Sequence, residues 1–334
     1  MPLFFQNREL DCFRSTAELF DKYPHLKENA KAFRSKSRVD VDPKHLLYVQ
    51  QREFAATTPA DNCVSILGSD DATTCHLVVL RHSGSGAVCL SHLDGSSTRT
   101  EVQLTMKAVT SLSNDCNEGR FELHLVGGFD DDDKRSHKLS LNILAAFQKQ
   151  KDHIHLETCC ITGFYMFYII CTCCVVGRSD FSLTILSVVE MNNVVDKGIH
   201  KPIVYGIGVN VKTGEVFPAS FPHKGPAEML RSARTFTGGE MTDIYDSRHG
   251  LVKVGPCQWN PDLEIAFWLS QSDATILKYL STSPFAEPPH FVQHIKSTIQ
   301  FLLSHPDSDS LFPGGQPHLY HRTESGSWER LVQP

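Results

Sequence analysis

The chain has 334 residues, 41% hydrophobic and 21% charged, which is long enough for a substantial core and ordinary for a soluble globular protein. A formal net charge of −6, with no basic block interleaved with aromatics, excludes an electrostatic footprint for nucleic acid and leaves small-molecule or peptide partners open. The opening MPLFFQNREL has no charged leader and only a short apolar run, so no export signal is expected; the 11 cysteines, an odd number in no regular framework, read as reduced thiols of a cytoplasmic or nuclear protein.

In chain order, residues 46–52, 64–67, 75–80 and 87–92 read as strands, rich in Val, Leu and Ile and separated by Gly, Ser and Asp. Residues 101–112 carry Val102, Met106, Val109 and Leu112 at helical spacing. Residues 121–126 alternate apolar and polar side chains and stop at Gly127-Gly128, as a half-buried strand does. An amphipathic helix is expected over 134–149 and a strand over 154–161. Residues 203–211 and 215–221 flank Lys212-Thr213-Gly214 as a hairpin, and a helix with proline in its first turn follows over 226–236. A second hairpin pairs 241–245 with 251–254; helices over 273–280 and 289–305 close the fold, and residues 306–334 read as a loose tail. The fold class expected is α+β, a layered α/β sandwich of mainly antiparallel sheet with packing helices, in a single domain over 1–305.

One stretch is foreign to this pattern: GFYMFYIICTCCVVGRSDFSLTILSVV, residues 163–189. Its apolar run is about 13 residues, against the roughly 20 that a membrane span needs, so it reads as a buried strand or as an insertion outside the working fold, with no membrane contact. Cys171, Cys173 and Cys174 have no second ligand pair at zinc-finger spacing nearby, so no metal is expected.

The chemistry gathers around GSDDATTCHLVVLRH, residues 68–82. A thiol acts as a nucleophile through its thiolate and needs a base or a positive field to form it. Carboxylates at Asp70 and Asp71 work against that, so they need another task, and holding a cationic substrate group is the natural one. If 75–80 and 87–92 pair as a hairpin, Cys75 and His92 fall near the same end of the ladder, with Asp94 just beyond. His76 alternates to the opposite face and is the poorer base. The plain alternative is that Cys75 is a small buried hydrophobe entering a strand.

The strings LLYVQQRE, SILGSDDATTCH, HLVGGF, SARTFTGGEM and LSTSPFAEPPHFV closely resemble the eukaryotic protein N-terminal asparagine amidohydrolases. The resemblance runs from the N-terminus to about Thr162 and resumes near Glu190, where relatives pass almost directly from one flank of the foreign stretch to the other. More distantly, the cysteine-strand-glycine-histidine pattern is similar to that of the chemotaxis-receptor glutamine deamidases. The resemblance implies removal of ammonia from the side chain of an N-terminal asparagine, leaving aspartate for arginylation and ubiquitin-dependent degradation by the N-degron route. It also implies Cys75 as nucleophile, protein or peptide substrates with a free N-terminal Asn, and a monomer without a cofactor. On that reading a backbone amide near Thr74 to His76 holds the oxyanion, and Asp70, Asp71 or Asp94 reads the substrate's α-ammonium. His92 is the first choice of base, Ser69 or Tyr48 orients the thiol or the amide, and Pro2, exposed by removal of Met1, packs near the site. A related glutamine or side-chain amidase, and a catalytically idle protein that binds N-termini, are the competing readings.

Overall fold

The computed structural model describes residues 3–11, 13–116, 118–162, 191–260 and 263–332, so the foreign stretch and Pro2 lie outside the described residues. A central sheet runs Thr242–Asp243, Glu53–Thr57, Val88–Leu93, His76–His82, Phe121–Gly127, Ile154–Ile161, Leu3–Phe5 and Arg8–Glu9. Its middle is antiparallel, whereas Ile154–Ile161 lies parallel to both its neighbours. A smaller sheet runs Val39–Asp40, Val216–Ser220, Ile207–Asn210, Ile66–Ser69 and Leu46–Tyr48.

Strand alternation decides what covers each face of the central sheet. Val78 pairs with Ser91, and the Ser91 hydroxyl meets Thr105 Oγ1 at 2.8 Å on the helix Thr98–Ser111. His76, on the same face as Val78, reaches Ser140 Oγ at 2.7 Å on the helix Arg135–Gln148. These helices bury Val102, Met106 and Val109, and Leu139, Ile143 and Phe147, at the spacing that keeps one stripe against a sheet. The opposite face, carrying Leu77 and His92, meets the smaller sheet, where Ser69 bonds His92. The α+β layering expected from the sequence is therefore present: helices, large sheet, small sheet.

The differences from expectation have local causes. The run 46–52 is two elements: Leu46–Tyr48 belongs to the small sheet, a turn places Arg52 at φ +59°, and Glu53–Thr57 then joins the large one. Helices Thr16–Lys22 and Pro24–Arg34 precede all of this, the first capped by Ser15 and the second started by proline. In the second hairpin only Tyr245–Asp246 pairs with the Leu251–Val254 strand, while Thr242–Asp243 extends the large sheet. The segment after Pro306 is not a loose tail. His318–Arg322 pairs along Leu251–Val254 and Trp328–Arg330 adds the next strand, because ladder bonds satisfy a backbone whose prolines and glycines mark only the turns before it. No helix among the described residues is long and apolar enough to cross a membrane.

Gly127 has φ +140°, and a Cβ there would lie 2.4 Å from the Cys75 carbonyl oxygen and 2.9 Å from His76 Cα. Gly127→Ala is expected to cost about 1–3 kcal/mol in thermal or urea unfolding, since both a disfavoured φ and a backbone clash oppose it.

Candidate active site

One of the loops that cross between the two sheets carries the thiol: Ser69 ends the Ile66–Ser69 strand and His76 begins His76–His82, so residues 70–75 bridge the layers. Asp71 takes φ +58°, a left-handed conformation that aspartate tolerates better than most side chains, and the Ala72 amide donates to the Tyr205 carbonyl at 3.0 Å. Gly206 has to be small here, because a Cβ would lie 2.3 Å from Asp70 Cβ. The Gly128 amide donates to the Cys75 carbonyl at 3.0 Å and fixes the other end of the loop. The thiol thus sits where two sheets part, at the wall of a cavity of about 610 Å³ that His92 also lines.

The register explains that meeting. Leu77 is opposite His92, and Cys75, two residues earlier, shares their face one step along the diagonal. Ser69 Oγ lies 2.8 Å from His92 Nδ1, and His92 Nε2 is buried with no hydrogen-bond partner among the described residues. Burial lowers the His92 imidazole to about 4, against the smaller opposing pull of Asp94 and Asp71. Burial likewise pushes the Cys75 thiol far up, helped by the charges of Asp94, Glu287 and Glu101. Thiol and imidazole are both neutral at rest.

Around them Asp70, Asp71 and Asp94 are already matched with cations. Tyr48 donates its hydroxyl to Asp70 Oδ1 at 2.6 Å, the Phe221 amide donates to Oδ2 at 3.0 Å, and Lys224 bonds Asp70 directly. Lys224 also reaches Asp71 Oδ2 at 3.0 Å, where His290 Nε2 arrives at the same distance. Burial pushes Asp71 up, but the His290 bond and the Lys224 charge outweigh it and lower the carboxyl to about 2. For Asp70, burial and the neighbouring Asp71 charge win over Lys224, and the carboxyl is raised. Asp94 accepts from Arg52 Nε at 2.6 Å, Gln51 Nε2 at 2.8 Å and the Ser96 amide at 2.9 Å.

The structure therefore brings together most of the residues singled out in the sequence. Tyr48, Asp70, Asp71, Thr74, Cys75, His92 and Asp94 line one cavity, with Ser69 behind His92. Two side chains have partners other than the thiol. The His76 side chain lies on the far face against Ser140, as strand alternation dictates, so only its backbone is near the site. Tyr48 turns to Asp70 and Lys224 rather than to the thiol. Thr74 Oγ1 meets Thr282 Oγ1 at 3.1 Å, and Pro2 lies outside the described residues. Sequence reasoning missed Lys224, Glu287 and His290, which arrive from loops far along the chain and carry no spacing signal. Among the described residues no His, Cys, Asp or Glu cluster is placed to hold a metal ion.

Behind the wall, Arg231 forms a buried fork with Glu53, at 3.0 Å through Nε and 2.6 Å through the second amino nitrogen. Its remaining donors go to the carbonyls of Tyr48, Lys224 and Pro226. Arg231→Met should destabilise the protein by about 3 kcal/mol in urea unfolding, because the buried Glu53 would keep only Arg234, at 3.7 Å, and the Gln50 amide, at 2.8 Å, as partners.

The family described as "Protein N-terminal asparagine amidohydrolase" matches residues 36–168 and 164–330. The chain is 46% identical to the protein N-terminal asparagine amidohydrolase of Mus musculus over 335 residues, covering 100% of this chain and 99% of the relative. The protein of the same name from Homo sapiens is 45% identical over 335 residues, covering 100% and 99%, and that from Arabidopsis thaliana 28% identical over 336 residues, covering 93% and 88%.

The Asp71–His290 contact makes a pH prediction. His290 is raised above the usual imidazole value of about 6.5, first by its bond to Asp71, so its contribution is complete below that value and is lost as pH rises through the folded one. His290→Ala should destabilise the protein measurably at pH 6 and hardly at pH 9. Because the side chain is largely exposed, the difference is expected to be a few tenths of a kcal/mol up to about 1 kcal/mol in paired urea titrations.

Proposed function

The chain belongs to the protein N-terminal asparagine amidohydrolase family, and from that premise we propose that it hydrolyses the side-chain amide of N-terminal asparagine in proteins, with Cys75 as nucleophile. The observation that carries the mechanism is the placement of a neutral thiol and a neutral imidazole on one face of one cavity, the imidazole bonded at Nδ1 by Ser69 and unpartnered at Nε2 among the described residues.

A resting thiol pushed up this far does not attack as a preformed thiolate, so the proton has to leave as the substrate reacts. His92 suits that task by position, since it lines the same cavity and its unprotonated Nε2 has no hydrogen-bond partner among the described residues. The mechanism requires the tautomer with the proton on Nδ1, for which Ser69 Oγ, 2.8 Å away, is the acceptor and which leaves Nε2 basic. The Cys75 proton passes to Nε2 while sulfur bonds to the amide carbon. The imidazolium then protonates the amide nitrogen as the C–N bond breaks, so that ammonia leaves and a thioester remains. Water, deprotonated by His92, displaces the thiolate and leaves an aspartate side chain. Backbone amides at Thr74 to His76 stabilise the oxyanion. No cofactor enters these steps.

The product, an N-terminal aspartate, is a substrate for arginylation and ubiquitin-dependent degradation, which places the reaction early in the N-degron route in cytoplasm or nucleus. The sequence resemblance supports this reading.

Ammonia release from a short Asn-initiated peptide, with the N-acetylated peptide and a Gln-initiated peptide beside it, tests the proposal. Release is expected only from the free Asn peptide and only with Cys75 present, Cys75→Ala bringing it to background. Ser69→Ala should lower kcat about tenfold or more with little change in KM, since the base loses its fixed tautomer. Equal release from the Gln peptide would favour the side-chain amidase reading, and binding without release would favour the idle N-terminus binder.

A further inference from the structure

Five acidic residues line the cavity, Asp70, Asp71, Asp94, Glu228 and Glu287, and they differ in what faces them. Asp70 and Asp71 share Lys224, Asp71 adds His290 at 3.0 Å, and Asp94 holds Arg52 at 2.6 Å. Glu228 has His294 Nδ1 at 3.6 Å. Glu287 is the exception: among the described residues no Lys, Arg or His nitrogen lies within 4.0 Å of it. Its carboxylate is instead held by hydroxyls, Oε1 accepting from Ser281 Oγ and, at 3.3 Å, from Ser283 Oγ. The Ser283 amide in turn donates to Ser281 Oγ at 2.8 Å, so the cradle is rigid and neutral.

A half-buried carboxylate oriented by neutral donors and left without a counter-charge is a costly arrangement unless a cation arrives with the ligand. On the function proposed above, the ligand brings one. The side-chain amide carbon and the α-nitrogen of an asparagine are separated only by its β- and α-carbons. A group that reads the α-ammonium must therefore lie close to the thiol that attacks the amide. Glu287 meets that condition, since after Asp94 its charge acts most strongly on Cys75 among the carboxylates.

We propose that Glu287 is the residue that holds the free α-ammonium of the substrate, accepting a charge-assisted hydrogen bond through the oxygen that Ser281 and Ser283 leave open, and so excludes internal and acetylated asparagines. The carboxylates nearest in sequence to Cys75 are thereby released from that task. Asp70 and Asp71 belong to the wall that Lys224 organises, and Asp94 to Arg52. Recognition falls to a residue that the sequence placed far away, on the 281–290 loop between the helices Asp273–Leu280 and Phe291–Ser304. The same contact couples recognition to reactivity: an ammonium at Glu287 cancels one of the negative charges that keep the thiol protonated.

This inference rests on the function proposed above, and the test separates the two. Binding of a short Asn-initiated peptide and of its N-acetylated form is measured by calorimetry in the Cys75→Ala background, where no turnover occurs, and ammonia release by the unmodified chain is read in parallel. Cys75→Ala is expected to prefer the free amine, and Cys75→Ala/Glu287→Gln to lose about ten- to a hundredfold of that preference, with the acetylated peptide bound equally by both. A preference that survives in the double variant, or that is missing with Glu287 intact, overturns the assignment. Absence of ammonia release from the unmodified chain counts against the hydrolytic reading instead. Should the glutamine variant not fold, Glu287→Asp decides: a withdrawn carboxylate should forfeit part of the preference, and an unchanged preference overturns the proposal.

Discussion

The cavity hangs on the buried pair of Arg231 and Glu53. Both side chains are almost fully enclosed, and the five N–H donors of the guanidinium match the five bonds it makes to Glu53, Tyr48, Lys224 and Pro226. A charge taken out of water is tolerated only when its geometry leaves no donor unmet. Arginine satisfies that condition with a planar fork that lysine cannot reproduce. The consequence is positional. Glu53 begins a strand of the large sheet, Tyr48 ends a strand of the small one, and Lys224 sits on the loop that follows Val216–Ser220. One side chain on the Glu228–Phe236 helix therefore fixes the separation of the two layers where they part, and the cavity is the space so held open.

Held at that separation, the site is built from neutral reacting groups inside a ring of charges that are compensated except at Glu287. Lys224 neutralises the Asp70–Asp71 step, which would otherwise set two carboxylates side by side next to a thiol that has to ionise. Arg52 does the same for Asp94, and its field helps the Cys75 thiolate. Burial keeps the thiol protonated and His92 unprotonated, and both shifts oppose proton transfer at rest, so the transfer has to await the change of charge and solvation that substrate brings.

How far this was legible follows from the range of each interaction. The hairpin that aligns Cys75 with His92 is local: two β-rich runs around Gly84-Ser85-Gly86 fix a register, and register fixes faces. The helices over 98–111 and 135–148 were legible for the same reason, through stripes repeated within a few residues. Glu53–Thr57 was not, because its two alanines weaken the strand signal and the turn before it has no glycine to mark it. Lys224 lies 154 residues from Asp70 and reaches it only because the small sheet sets the Val216–Ser220 and Ile66–Ser69 strands on either side of Ile207–Asn210. The His76 ring could be excluded from the cavity by alternation alone, whereas the partners that draw Tyr48 away from the thiol could not be foreseen.

The described flanks of the foreign stretch meet at one glycine of the core. Thr162 and Met191 are both buried, and the chain on either side converges on Gly128. Asn192 Nδ2 donates to the Gly128 carbonyl at 2.9 Å and to the Val204 carbonyl at 3.2 Å, while its Oδ1 accepts from the Val204 amide at 2.8 Å. On the other side, a Cβ built on Gly128 would stand 3.1 Å from Thr162 Oγ1, so the end of the Ile154–Ile161 strand touches the same residue. Chain ends held this close by bonds of their own make the closure cost of what lies between them grow only slowly with its length. Gly128 is also the residue whose amide holds the Cys75 carbonyl. Thr162 and Asn192, the described residues that flank the foreign stretch, thus both adjoin the anchor of the nucleophile loop. The hydrogen bonds of Asn192 keep that anchor in place from the far side.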